Sequence, residues 1–236
     1  MENKNPNRRS AYWSILAILI FVGALDLLGV TRILGEGSGS DQIGCGGAAD
    51  DVALTSSNVN TESESLFVQK AGIWETPTVP VCWENSNPNN QQGRDWTQTA
   101  IESTWAVNSR LSFTGWGACQ ANSSGIRIAI EDSHPHVKGL GRSLDGMSAG
   151  MVLNFDFIQS FAACNQQKEF CIKTIAIHEF GHALGFAHEQ NRADSKCDDM
   201  EQAADGDWVI GPWDLHSVMN YCNPRWSGNG ELSLTD

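Results

Sequence analysis

The chain has no cluster of lysine and arginine: 15 basic residues face 28 acidic ones, for a formal net charge of -13. Nucleic-acid binding relies on clustered cations that neutralise phosphates, so that class of partner is excluded. There is no C-x-x-C pair, which removes the zinc-ribbon and thioredoxin-like readings of the cysteines. There is no internal repeat, which removes a repeat architecture. Charged residues are scarce at 18%, whereas hydrophobic residues reach 41% and include 9 Trp and 9 Phe. That balance is globular, and 236 residues hold one ordinary domain plus flanking segments.

Seven cysteines are present, at 45, 82, 119, 164, 171, 197 and 222. Disulfides in an oxidising compartment are their expected use. Six cysteines admit about 15 pairings. Pairing of neighbours is the expectation adopted: Cys82 with Cys119, Cys164 with Cys171 and Cys197 with Cys222. Cys45 is the odd one, in a different region of the chain.

Lys4, Arg8 and Arg9 precede an apolar run from Ala11 to Val30. Basic residues before such a run, with acidic ones well after it, mark residues 1–34 as an export signal or an N-terminal membrane anchor. No A-x-A cleavage site stands out, and the run is long enough to span a bilayer. The rest of the chain is then secreted or periplasmic, touching a membrane only through that segment. Residues 35–70, rich in Gly, Ser, Asn, Asp and Glu, read as a flexible linker or propeptide. Residues 71–236 form the folded domain, with order beginning near Ile73, and a monomer is expected.

Within that domain the patterning predicts strands over Val79–Trp83, Gly125–Glu131 and Gly150–Phe155. It predicts helices over Asp95–Asn108 and Glu169–Leu184. Trp96, Ala100, Ile101, Thr104, Trp105 and Val107 form the apolar stripe of the first helix. The stretch after Glu189 is irregular and depends on disulfides for order.

The chemistry lies in His178-Glu179-Phe180-Gly181-His182-Ala183-Leu184-Gly185-Phe186-Ala187-His188. On a helix, residues four apart share a face, so His178 and His182 can address one ion. A catalytic zinc takes three protein ligands and keeps one position open, which calls for a third histidine. Six residues beyond His182, on a continued helix, His188 would sit about 240° around the axis and face away. The helix must therefore stop, and Gly185 stands where the stop is needed, since glycine accepts the left-handed conformation that ends helices. Glu179 lies roughly 100° from His178 around the helix. There it reaches the water without taking a coordination position and serves as the general base. H-E-x-x-H alone also fits an ordinary helix with two satisfied histidines; the glycine and the third histidine make the zinc reading specific.

This extended motif is the signature of the metzincins, and Ser217-Val218-Met219-Asn220-Tyr221 resembles their methionine turn. His188-Glu189-Gln190, followed by Arg192, resembles the astacins. The resemblance implies an α+β domain with a mixed, mostly parallel twisted sheet, two long helices and an irregular C-terminal subdomain, with zinc in the cleft. It implies a zinc metalloendopeptidase acting on protein or peptide substrates. It also implies that Met219 is a packing floor, that Tyr221 is a switchable ligand and oxyanion stabiliser, and that substrate pairs with the strand before the active-site helix, Gly150–Phe155. The cysteine spacing departs from the usual astacin disulfides, and the propeptide F-x-G-D motif is absent. In the family a helix follows the methionine turn, whereas this chain ends at Asp236, so a C-terminally shortened domain is expected.

Two other functions share the ligand set. A zinc hydrolase of a non-peptide amide or ester would use the same residues, and a non-catalytic zinc-stabilised binding module would be expected to lack Glu179. Cys45 loosely resembles a cysteine switch, with an idle linker cysteine as the simpler reading. His134 and His136 flank Pro135 and invite a second, structural metal, although solvent-facing loop histidines are commoner. His216 reads as a loop contact.

Overall fold

The computed structural model describes residues 68–198, 203–233 and 236. The apolar run at 11–30, the linker up to residue 67 and Cys45 lie outside the described residues. Among the described residues no helix is long and apolar enough to cross a membrane.

The architecture is α+β. Five strands form one sheet: β1 (Thr78–Trp83), β2 (Ser112–Ala118), β3 (Ile126–Ile130), β4 (His136–Val137) and β5 (Met151–Leu153), in the order β2-β1-β3-β5-β4. Only β4 runs antiparallel to its neighbour. Among the described residues three α-helices accompany the sheet: α1 (Gln91–Ser103), α2 (Trp105–Asn108) and α3 (Lys168–Ala183).

β1, β3 and β5 are buried nearly throughout, as interior strands covered on both faces are. Ile126 and Ile128 alternate as expected, and the intervening Arg127 is buried too. Its guanidinium takes up Glu84 in a two-pronged pair, Nε to Oε1 at 2.9 Å and one terminal nitrogen to Oε2 at 3.0 Å, and also donates to Ala121 O. The pairing satisfies a charge that burial alone would penalise.

The predicted first helix is in fact two. Thr104 breaks it at φ -120° and ψ -86°, and the hydroxyls of Ser103 and Thr104 both donate to Ala100 O, drawing the backbone away from regular helix. The core face is Gly93, Thr97, Ala100 and Ile101, with Trp105 buried beyond the break. Val107, placed on the apolar stripe by the sequence, is turned out and 68% exposed.

The strand after residue 150 is not an edge. β5 lies between β3 and β4, and β4 covers the side where an extended substrate was expected to pair. The free edge on that side belongs to His136–Val137. Packing also starts upstream of Ile73: Val68 is 5% exposed and bridges to Phe186 and Trp208, while the Gln69 N–H donates to Gly185 O.

All three neighbour disulfides are present, Cys82–Cys119, Cys164–Cys171 and Cys197–Cys222. From Leu184 onward the described residues contain only short 3-10 turns, at Glu189–Asn191 and Trp226–Gly230, held by hydrogen bonds and by the last of these disulfides.

Candidate metal centre

α3 is buried around its circumference from Ile175 to Ala183, so its side chains and backbone have one set of neighbours. Trp105 Nε1 donates to Ile177 O at 2.9 Å and Trp74 Nε1 to Ala183 O at 2.8 Å, tying the helix to the chain upstream. Its end is a Schellman turn: the Gly185 N–H donates to His182 O and the Phe186 N–H to Gly181 O. Gly185 has φ +102°, which a residue with a Cβ adopts only under strain.

The reversal has a chemical consequence, because it turns the Phe186 carbonyl toward His182. His182 Nδ1 lies 2.8 Å from that oxygen, and His178 Nδ1 lies 2.7 Å from Val218 O. A carbonyl only accepts, so both Nδ1 atoms carry their protons and both Nε2 atoms present lone pairs. These lone pairs meet a third imidazole. His188 Nε2 is 3.3 Å from His178 Nε2 and 3.1 Å from His182 Nε2. One proton on His188 would satisfy one neighbour and leave the other facing a lone pair; a cation at the centre satisfies all three. Nitrogens bound at 2.0–2.1 Å in a tetrahedral site are about 3.3–3.4 Å apart, so this donor set fits zinc.

His178, His182 and His188 are buried, and they form the only metal-capable group of this kind among the described residues. Burial, and then the neighbouring His188 and His178, holds the His182 pKa well below the usual imidazole range. The sequence-predicted Glu179 stands on the same helix and is 4% exposed. The Tyr221 ring stacks on His178 at 5.5 Å and 22°, and its centroid is 4.4 Å from that of His188. Met219 is fully buried below the helix.

The residues after His188 build a clamp. The Glu189 N–H donates to Met219 O, Gln190 Oε1 accepts the Tyr221 N–H at 3.1 Å, and Glu189 Oε1 accepts the Asp214 N–H at 2.8 Å. Burial pushes the Glu189 carboxyl up to about 7, against the opposing pull of the Asp214 N–H and Arg192. Arg192 reaches Asp194 with two 2.9 Å hydrogen bonds and lies 3.3 Å from Glu189 Oε1.

Other candidates stay apart. His136 Nδ1 contacts His134 O and the His134 ring meets Phe161 edge-on, with no third ligand gathered there among the described residues. His216 is exposed on its loop.

Sequence reasoning missed Gly181. A Cβ there would lie 2.3 Å from Met219 Sδ, so the methionine packs directly on helix backbone. The available signal was a glycine in a helix interior, a choice that usually has a packing reason.

Fold and site together define an α+β domain with a buried three-histidine group on its longest helix and the turn that ends it. Within it, residues 164–234 match the family model described as Astacin, a peptidase family, so this stretch is astacin-like. Among solved structures, one titled "Structure of myroilysin" is 16% identical, with 72% of this chain and 94% of that chain covered and a TM-score of 0.48. Another, "Crystal structure of myroilysin", is also 16% identical, with 74% and 88% covered and a TM-score of 0.46. No curated protein matches the chain.

Proposed function

We propose that the chain is a zinc endopeptidase that hydrolyses internal bonds of protein or peptide substrates. One observation carries the reading: three imidazole nitrogens converge, and two of them are held in the lone-pair-inward state by carbonyls the fold supplies. His178, His182 and His188 would hold the ion, which when bound supplies Lewis acidity toward water and the scissile carbonyl.

The remaining work falls to the protein. Glu179 takes the proton from the attacking water and passes it to the leaving amine. The Tyr221 ring, stacked beside His178 and His188, brings its hydroxyl to the oxygen on which negative charge develops. An extended substrate pairs by main-chain hydrogen bonds with the free edge of β4. Three disulfides call for an oxidising compartment, so the domain works outside the cytosol, delivered by the apolar segment at 11–30.

The test uses the full-length chain, measuring bound zinc and casein cleavage for wild type and Glu179→Gln. The variant is expected to keep its zinc and lose about a hundredfold or more in turnover. Cleavage at the wild-type rate, at matched zinc content, would remove Glu179 from the mechanism.

A further inference from the structure

Beneath the metal centre a line of hydrogen bonds runs from His178 to a carboxylate that no motif singles out. His178 Nδ1–H donates to Val218 O at 2.7 Å. That oxygen belongs to the Val218–Met219 peptide, whose N–H donates to Ser217 Oγ at 3.0 Å. The Ser217 hydroxyl donates in turn to Asp236 Oδ1 at 2.5 Å. Every donor in the series points the same way, from the imidazole toward a formal negative charge. Ser217, Val218 and Met219 are fully buried, so the series runs through a low-dielectric interior where successive hydrogen bonds strengthen one another. Asp236 is itself fixed, since Oδ2 accepts from the Val218 N–H at 3.0 Å and the Ser233 N–H at 2.9 Å.

We propose that Asp236 is a positioning residue for the metal centre, acting on His178 through Ser217 and the Val218–Met219 peptide. A histidine ligand whose distal N–H reaches a carboxylate is fixed in tautomer and made more basic at the metal-facing nitrogen. Here the carboxylate acts at one remove, with a hydroxyl and a peptide group between it and the ring. The peptide oxygen alone would accept the imidazole proton; the charge at the end of the series makes it a stronger acceptor. The inference rests on the zinc reading of the three histidines and adds the group that holds one of them ready.

The experiment compares the full-length wild type with Asp236→Asn and Ser217→Ala. The first removes the charge, and the second breaks the series while leaving Asp236 bonded to the Val218 N–H. Zinc affinity is measured by chelator competition, and the His178 tautomer by nitrogen-15 NMR of the metal-free chain. Each variant should bind zinc about tenfold more weakly. The double variant should lose no more than the worse single one, because both interrupt one series. The His178 signals should move from the pure Nδ1–H form toward a mixture. Glu84→Gln, just beyond the end of β1, should lower the melting temperature yet leave affinity and tautomer unchanged. Should Asp236→Asn fail to fold, Ser217→Ala carries the same two readouts. Variants with wild-type zinc affinity and an unmoved His178 tautomer would overturn the proposal. Wild type that binds zinc but cleaves no protein would instead sink the peptidase reading and leave the relay standing.

Discussion

Gly181 occupies the interior of α3, where glycine is disfavoured by about 1 kcal/mol relative to alanine. The structure explains the choice, because the space a Cβ would fill belongs to the buried Met219 sulfur. Gly181→Ala is therefore expected to lower stability by about 1 kcal/mol or more in denaturant titrations, overpacking outweighing the gain in helix propensity. A more stable variant would show that Met219 yields freely. Tyr221→Phe keeps the ring against His178 and His188 and removes only the hydroxyl. Zinc content should hold while turnover drops about a hundredfold; loss of the metal would make the role structural. At this scale the sequence was informative where chemistry is local. His178, Glu179, His182, Gly185 and His188 are related by spacing along one helix and one turn. The carbonyls that orient His178 and His182 were not legible, since a backbone oxygen has no residue identity to read. Asp236 was not legible either, because only folding brings its carboxylate under Val218.

At the scale of elements, the cysteine pairs differ in accessibility. Cys164 and Cys171 are fully buried, whereas Cys197 and Cys222 are both partly exposed and Cys222 follows Tyr221 directly. Thiol–disulfide exchange needs access to sulfur, so a mild dithiol should open Cys197–Cys222 first and Cys164–Cys171 last. Timed alkylation with peptide mapping reads that order, and early opening of Cys164–Cys171 would contradict it. α3 was readable because its motif and apolar residues follow helical spacing. β2 was not: it alternates poorly, contains Gly115 and Gly117, and owes its extended form to its pairing with β1. β4, two residues long, carries no period at all, and its place beside β5 moved the free edge to a segment that reads as loop. The break at Thr104 was likewise hidden, because the residues around it keep helical spacing while two hydroxyls turn inward onto Ala100 O.

At the scale of the whole molecule, acid stability should pass through Glu84. This carboxylate joins the end of β1 to Arg127 on β3 and to the Ser148 hydroxyl and Ala149 N–H ahead of β5. Its pKa is lowered to about 2, chiefly by the hydrogen bonds from Arg127. A carboxyl depressed in the folded state contributes fully above its ordinary range and loses that contribution as pH falls toward 2. The melting temperature of wild type should thus exceed that of Glu84→Gln at neutral pH, and the gap should close between about pH 5 and pH 2. A gap independent of pH would assign the difference to shape rather than charge. By itself the sequence determined the ligand-bearing helix and its glycine stop, because both depend on residues close along the chain. Only the tertiary structure decided which carbonyls hold the imidazoles, which strand forms the free edge and which carboxylate lies beneath the centre. Those relations join segments far apart in sequence, and packing alone chooses them.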